Sequence, residues 1–420
     1  MRIDRRQLGL LAVVGILTGL SLLLRVPCFA WEPTGLALAV PGCHGDLAIM
    51  WESRGLAAGN IPYLQPFVDP LTGQLVTVEY PVLTGMLMWL VSRAGSLPAF
   101  VAWSAVLMGT AAMAIALILG RLSGRRAWLW AAAPALVHYL AYGYDALAVL
   151  TVVAALAMVV GDDAVGVRAR SYLGAAAVLG IGGGLKFYPL LFVLPLALWL
   201  LFGRPGPLQP ELRLRLGRAL AVIGVTTGVF VAVNLPFALT NPQGWWLPFS
   251  FQAGRPIDVT TLSIWYFAGT FWPAVSQSQW MLLSTVATAV GIGAAAGAGW
   301  LVGQRRGAYP LLGSCVTVLI AYVLLNKVFS PQFILWLLPL LVLVRLPARL
   351  IVFYLALDVA MFWALGFTPY LRERGLVDAM PTAVGVLLLT VLLRAGLLVR
   401  VAFSPTVQLD APRDPSAASV

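Results

Sequence analysis

Charged residues are scarce in this chain, because Asp, Glu, Lys and Arg together make up only 10% of its 420 residues. Soluble domains carry about a quarter of such residues, so a soluble globular fold is excluded. Hydrophobic residues account for 60% of the chain, and this excludes an intrinsically disordered protein as well. The composition therefore predicts an all-α polytopic membrane protein.

Metal-binding residue types are scarce too. The chain has three cysteines and two histidines, too few for a disulfide scaffold, a thiolate metal site or a histidine cluster. No cofactor is predicted, although acids in outer loops leave a single divalent ion open. A bond between Cys28 and Cys43 would tie the end of the first apolar run to the approach to Asp46, but spacing alone does not decide whether it forms.

Apolar runs near the length of about 20 residues that a membrane span requires recur along the chain. They predict about 12 transmembrane helices, at roughly 8–26, 98–120, 127–141, 145–160, 171–185, 187–203, 218–239, 280–302, 308–325, 330–344, 348–366 and 382–402. We expect the first run to be a retained helix rather than a cleaved signal peptide. Residues 1–403 are expected to form one transmembrane domain, and 404–420 a disordered cytoplasmic tail.

The segment YPVLTGMLMWLVSRAG, residues 80–95, decides the topology. If it lies on the outer surface instead of crossing the membrane, 19 of the 27 basic residues become cytoplasmic, Arg394 among them. The positive-inside rule favours this arrangement, with both termini in the cytoplasm of a multi-pass plasma-membrane protein. Anionic headgroups beside the inner loops then account for the net charge of +11, and no nucleic-acid partner is predicted.

Ionisable residues collect on the predicted outer face, which carries two long loops, 27–97 and 240–279. They lie in these loops or at outer span ends, and include Asp46, Glu79, His138, Asp145, Lys186, Arg255 and Lys327. Because charges at membrane depth are costly, their grouping indicates a shared aqueous cavity, while for each one an interfacial anchor is an equal alternative. Arg255 follows an aromatic stretch, WWLPFSFQAG, whose composition suits sugar stacking and phosphate binding.

Five stretches spread from residue 45 to about residue 341 carry a family resemblance. They are GDLAIMWESRGLAAGNIPYLQ, VEYPVLTG, YDALAVL, GLKFYPLLFVLPL and NKVFSPQFILWLLPLL. In this order they resemble the C-type glycosyltransferase superfamily, and more closely the family-87 polyprenyl-phosphate-mannose-dependent mannosyltransferases of actinobacteria. The resemblance implies a first helix, an outer loop with surface-lying helices, and a bundle of further spans. This chain departs from it at Gly143-Tyr144-Asp145, where relatives often carry Asn-Trp-Asp.

The resemblance implies transfer of a sugar, with mannose favoured, from a polyprenyl-phosphate donor to a glycolipid or polysaccharide acceptor on the outer face. The family's catalytic acid matches Asp46, which we expect to act as general base in a displacement that inverts the anomeric carbon. The candidates for binding the donor phosphate are Arg255, Lys186 and Lys327. The candidates for binding the sugar and the acceptor are Tyr63, Glu79, Tyr80, His138, Asp145 and Gln332.

Two other functions stay open at this point. A multi-pass transporter or lipid flippase for envelope glycolipids would make use of Asp358, an acid inside an apolar run. We prefer the simpler interpretation that this carboxyl bonds to a neighbouring helix. A non-catalytic scaffold for envelope enzymes is the third possibility.

Overall fold

The computed structural model of the protein describes residues 4–29, 41–69, 72–160, 168–203, 211–404 and 407. Most of these residues are helical. The helices, in chain order, are α1 (Arg5–Phe29), α2 (Asp46–Ser53), α3 (Val82–Ser92), α4 (Leu97–Ser123), α5 (Trp128–Ala131), α6 (Pro134–Tyr139), α7 (Asp145–Val159), α8 (Ala169–Leu185), α9 (Val193–Phe202), α10 (Leu212–Thr240), α11 (Pro242–Gly254), α12 (Ile264–Phe271), α13 (Gln277–Arg306), α14 (Leu311–Leu325), α15 (Ile334–Leu343), α16 (Ala348–Glu373) and α17 (Met380–Ala402). Two strands, β1 (Phe67–Val68) and β2 (Leu75–Val76), form a short antiparallel hairpin that the sequence did not predict.

Within the described ranges, six helices are long and apolar enough to cross a membrane: α1, α4, α10, α13, α16 and α17. The prediction of an α-helical membrane protein is therefore confirmed at this level. The remaining predicted spans correspond to shorter helices, and the run at 127–141 is divided into α5 and α6. Pro134 stands at the start of α6, where the missing proline N–H does not weaken the helix. Helix length thus leaves the count of about 12 spans a prediction.

The segment at 80–95 forms α3, a helix of 11 residues. At 1.5 Å per residue it is about 16 Å long, roughly half the thickness of a hydrocarbon core. It packs against α4, α8 and α10. Length alone does not distinguish α3 from α9 and α15, which have 10 residues each and lie in predicted spans, so the placement of 80–95 on the outer surface stays a prediction.

Close helix packing brings the first loop next to the turn between α6 and α7. Helix α1 packs against α4 and α6, and at Gly109 of α4 an added Cβ would lie 2.6 Å from the Thr18 hydroxyl oxygen. A glycine is therefore required where the two helices cross, as is common in membrane helix pairs.

A disulfide joins Cys28, in the last turn of α1, to Cys43 across 5.5 Å between their Cα atoms. The sequence left this bond open. Because Cys43 is three residues before Asp46, the bond anchors the segment that leads into α2. The disulfide thus fixes the segment before Asp46, the predicted catalytic acid, relative to the end of α1.

The positions of Asp358 and Arg394 correct one expectation and confirm another. Both side chains are completely buried, and Nη2 of Arg394 lies 3.4 Å from Oδ1 of Asp358 on the adjacent helix. Arg394 also donates to the Tyr354 hydroxyl at 3.1 Å. Arg394 therefore does not reach a cytoplasmic headgroup layer, as charge counting had placed it, because its charge is compensated inside the protein. Asp358 is bonded to a neighbouring helix, as preferred.

Candidate functional site

Asp46 is the first residue of α2, and the backbone holds it in place. The N–H groups of Asp46 and Leu47 donate to the carbonyl of Tyr142, at 2.9 and 3.3 Å. A carboxylate in the first turn of a helix is also stabilised by the positive end of the helix dipole. The start of α2 at Asp46 is therefore held against the α6–α7 turn.

Arg25 fixes the same segment from α1. Its guanidinium donates to the carbonyls of Gly42, of His44 at 2.9 Å and of His138 at 2.9 Å. Arg25 is 4% exposed, so its guanidinium, near the end of a predicted span, binds backbone carbonyls inside the protein. Sequence reasoning missed this residue because an arginine at a span end is ordinarily an interfacial anchor.

Tyr80 donates a hydrogen bond from its hydroxyl to Oδ2 of Asp46. Burial raises the pKa of the Asp46 carboxyl, while nearby Lys186 and the Tyr80 hydrogen bond act in the opposite direction. Burial also raises the pKa of Tyr80 well above its ordinary value, so the phenol stays protonated and remains a donor. In this arrangement one oxygen of the Asp46 carboxylate accepts a hydrogen bond from Tyr80, and the carboxylate is suited to act as a base.

Asp145 forms the second acidic centre of the site. Its Oδ1 accepts hydrogen bonds from Nζ of Lys186 at 2.5 Å and from Nε1 of Trp336 at 2.7 Å. The same ammonium lies 4.9 Å from the ring centroid of Tyr80. Lys186 thus connects the two centres, and Trp336 is a site residue that sequence reasoning missed because it lies inside a continuous apolar run.

Gly143 separates the two carboxylates at close range. A Cβ added there would lie 2.9 Å from the Tyr80 hydroxyl, 3.3 Å from Oδ2 of Asp46 and 3.4 Å from Oδ2 of Asp145. Gly143, one of the positions at which the sequence departs from the resemblance, therefore lies next to both acids. Its missing side chain leaves room for the Tyr80–Asp46 hydrogen bond.

A cavity of about 380 Å³ lies between the β1–β2 hairpin and α11. Its polar lining includes Arg54, Thr77, Glu79 and Arg255, and its apolar wall includes Leu247, Pro248 and Phe251. Nε of Arg54 donates to Glu79 at 2.6 Å. Burial raises the pKa of Glu79, and the charge of Arg54 opposes this. Arg54 was missed, although its place eight residues after Asp46 in a polar loop was the available signal.

Arg255 extends from the end of α11 into this cavity. Its Nη2 donates to the Thr260 hydroxyl at 3.3 Å, and within the described ranges no carboxylate forms an ion pair with it. Its charge nevertheless acts on both Asp46 and Glu79. Arg255 is therefore a cation that is close to the acids and available to an incoming anion.

Lys327 lies beside Arg255 but uses its ammonium differently. Nζ donates to the carbonyls of Ala253 and Arg255, at 2.8 and 2.9 Å. Burial and the charge of Arg255 both lower its pKa. The structure thus places Lys327 as a support for the backbone that carries Arg255.

Of the predicted sugar-binding and acceptor-binding residues, only Glu79 lines the cavity, and two of the others make contacts within the protein. Tyr63 is completely buried, and its hydroxyl donates to the carbonyls of Tyr80 and Pro81 at 2.8 and 3.1 Å. The ring of His138 stacks on Phe362 at 4.2 Å between centroids. Both side chains stabilise the walls of the site.

Three buried polar atoms near Asp145 have no hydrogen-bond partner among the described residues. They are Oδ2 of Asp145, the Tyr188 hydroxyl and Oε1 of Gln332. Tyr188 stacks on Trp336 at 4.0 Å between ring centroids. Phe333 stacks on Trp336 as well, at 3.8 Å between centroids, so these atoms mark unused hydrogen-bonding capacity inside a buried cluster.

In the part of the chain that the structure describes, no group of three His, Cys, Asp or Glu side chains is arranged to hold a metal ion. The site chemistry available is therefore that of carboxylates, a phenol, an ammonium and guanidinium groups. Comparison with protein-family models, with curated proteins and with solved structures finds no match to this chain in any of the three.

Proposed function

We propose that this protein is a membrane glycosyltransferase that moves a sugar from a polyprenyl-phosphate donor to a glycolipid or polysaccharide acceptor. The observation that carries the proposal is the meeting of Asp46, Tyr80, Asp145 and Lys186 with Arg255 at the neighbouring cavity. The sequence resemblance adds mannose as the favoured sugar. We place the site on the extracytoplasmic face of the plasma membrane, with both termini in the cytoplasm, on the charge distribution of the loops.

Asp46 is the general base in this proposal. The acceptor oxygen attacks the anomeric carbon, the bond from that carbon to the phosphate oxygen breaks, and its electron pair leaves with polyprenyl phosphate. The proton of the acceptor hydroxyl passes to the Asp46 carboxylate, which contributes a factor of about 10²–10⁴. One displacement of this kind inverts the anomeric configuration. The phosphate leaving group is already a stabilised anion, so no acid is needed on that side.

The cavity at Arg255 suits the donor. Its guanidinium is free of ion pairs within the described residues, and guanidinium groups bind phosphate oxygens through charge-assisted hydrogen bonds. The wall formed by Leu247, Pro248 and Phe251 offers apolar surface to the first isoprene units. Arg255 is therefore proposed as the principal phosphate ligand.

The Asp145 centre suits the transferred sugar. Oδ2 of Asp145 and Oε1 of Gln332 are unpaired acceptors, and sugar hydroxyls are donors that can satisfy them. Lys186 holds Asp145 in place through its 2.5 Å contact. Its role is thus shifted from phosphate binding to fixing the sugar-binding acid.

The transporter alternative rested on Asp358, and the structure supplies another account of that residue. Its carboxylate pairs with Arg394 between α16 and α17. A buried acid with its own counter-ion requires no role in proton coupling. No observation in the described structure favours transport over transfer.

The test uses purified protein in detergent or nanodiscs with polyprenyl-phosphate-mannose and, separately, polyprenyl-phosphate-arabinose. Mass analysis of an envelope-lipid extract supplied as acceptor detects a product heavier by one sugar. Asp46→Asn is expected to reduce transfer by about 10²-fold or more, with folding unchanged.

Glu52→Gln is the matched control, because it neutralises an exposed carboxylate on the same helix as Asp46. It should retain wild-type transfer. Substantial turnover by Asp46→Asn would remove Asp46 from the mechanism, and the absence of any sugar product with either donor would overturn the proposed function.

A further inference from the structure

The hydroxyl of Tyr80 makes a specific contact with the acid of the site. It donates to Oδ2 of Asp46, and Tyr80 is 6% exposed. Among the described residues, no other side chain donates a hydrogen bond to this carboxylate. The contact therefore fixes which carboxylate oxygen is occupied and which is open.

The backbone that carries Tyr80 is itself held rigidly. The Tyr63 hydroxyl donates to the carbonyls of Tyr80 and Pro81. At Gly85 an added Cβ would lie 1.8 Å from that same hydroxyl, so the ring of Tyr63 requires a glycine opposite it. On the other side, Arg54 holds Glu79, the residue before Tyr80. Tyr80 is thus fixed from both directions before any ligand binds.

We propose that Tyr80 is a positioning residue for Asp46: its phenol holds Oδ2 and turns Oδ1 toward the acceptor hydroxyl. The inference rests on the proposed function for what Oδ1 does, but not for the hydrogen bond itself. It replaces the expectation that Tyr80 binds the acceptor. Rigid orientation of the base affects the reaction rate, because a catalytic group that is displaced from its productive geometry loses much of its contribution.

The charge environment of Asp46 sets the sign of the expected effect. The other charged or titratable groups that act on it are Lys186, Asp145, Arg255, Glu79, Tyr142 and Arg25. These groups stay in place when only the phenol oxygen is removed. Since the hydrogen bond stabilises the charged carboxylate, its loss must raise the pKa of Asp46.

The first experiment measures the pH dependence of transfer by Tyr80→Phe. We expect kcat to fall about tenfold, the effect of losing one hydrogen bond to a charged group. The acid limb of kcat/KM should move to higher pH, because the base is then protonated at a higher pH. Tyr144→Phe is the matched control, since it removes a buried hydroxyl that bonds to Ser104 at 2.9 Å and not to Asp46.

The second experiment requires no activity. Infrared titration follows the carboxyl stretch that disappears in Asp46→Asn, and its midpoint should lie at higher pH in Tyr80→Phe than in wild type and Tyr144→Phe. If Tyr80→Phe fails to fold, Gly143→Ala presses on the same hydrogen bond from 2.9 Å and should shift the midpoint in the same direction. Gly228→Ala, where an added Cβ meets nothing within 4 Å, should not.

An unshifted midpoint in folded Tyr80→Phe overturns the positioning role even if transfer is established. An unshifted midpoint in folded Gly143→Ala does the same when Tyr80→Phe cannot be prepared. If the midpoint shifts but the protein transfers no sugar, the hydrogen bond from Tyr80 to Asp46 is supported and the proposed function is overturned. The two proposals therefore fail on different measurements.

Discussion

The chain contains two buried clusters in which an aspartate meets a basic side chain and a tyrosine. In one, Asp358 pairs with Arg394 between α16 and α17, and both side chains are 0% exposed. In the other, Asp46 accepts from Tyr80 while remaining partly exposed beside a cavity. From the sequence, Asp46 was expected to be the general base, and Asp358 was expected to bond to a neighbouring helix.

The clusters differ in exposure and in counter-ions rather than in hydrogen bonding, since both carboxylate oxygens of Asp358 lack a hydrogen-bond partner as well. The Asp358 charge has a counter-ion of its own and no exposed surface, so it contributes to the packing of two helices. At the other cluster, Asp46 is partly exposed, and the nearby Arg255 lines a cavity without an ion pair within the described residues. A charged side chain that lines a cavity without an ion pair is therefore a better sign of function than a buried charge alone.

The largest expected effect separates the clusters by stability. Asp358→Asn leaves the Arg394 charge buried without its counter-ion, which should lower the free energy of unfolding by about 3–5 kcal/mol. Thermal unfolding in detergent measures the change. Asp46→Asn, at a partly exposed site, should keep its unfolding midpoint close to wild type while losing activity.

The contrast between the clusters is wrong if Asp358→Asn keeps its stability and loses activity while Asp46→Asn loses stability and keeps its activity. Residual folded Asp358→Asn, assayed below its unfolding temperature, should transfer sugar at the wild-type rate per folded molecule. Loss of transfer by that fraction, with stability unchanged, would make Asp358 part of the mechanism and revive the transporter or coupling interpretation.

A smaller effect is expected at Arg255. Arg255→Ala removes a charge-assisted contact with the donor phosphate, so KM for the polyprenyl-phosphate sugar should rise about tenfold. Steady-state kinetics with varied donor concentration measure this. Arg93→Ala is the control, because Arg93 is an exposed arginine that does not line the cavity. Equal KM values for both variants would rule out a phosphate role for Arg255.

The smallest effect is the pH profile of the wild-type enzyme. Burial raises the pKa of Asp46, and a base acts only when it is deprotonated. As the pH is lowered, the rate of transfer should therefore begin to fall at a higher pH than it would with an ordinary exposed aspartate. Arg255→Ala should move this acid limb slightly further upward, since the arginine charge lowers that pKa. A limb that moves downward in Arg255→Ala would contradict the arrangement of charges described above.

Much of the fold was predictable from the sequence, because hydrophobic length and charge are local properties. Six long apolar helices occur where runs of sufficient length were found, and the segment 80–95 is helical from Val82 to Ser92. Arg394 was misplaced because charge counting assigns every arginine near a span end to water or headgroups. Its partner, Asp358, is 36 residues away in sequence and adjacent only in the folded chain.

The same limit applies to the site. Asp46, Glu79, Asp145 and Arg255 were selected as polar residues in an apolar chain, and the structure brings them to one region. Arg54, Trp336 and Arg25 were not selected, because their significance comes from contacts with residues far away in the sequence. Tyr63 shows the opposite error, since an aromatic side chain in a polar loop proved to be a buried support.

By itself, the sequence determined that this protein is an α-helical membrane protein with its polar chemistry concentrated in a few segments. The reason is that the cost of placing charge in hydrocarbon acts on each residue separately. Only the tertiary structure decided that Tyr80 holds Asp46, that Lys186 holds Asp145, and that Arg394 neutralises Asp358. Pairing depends on distances of a few ångströms between side chains from different helices, and these distances are set by packing.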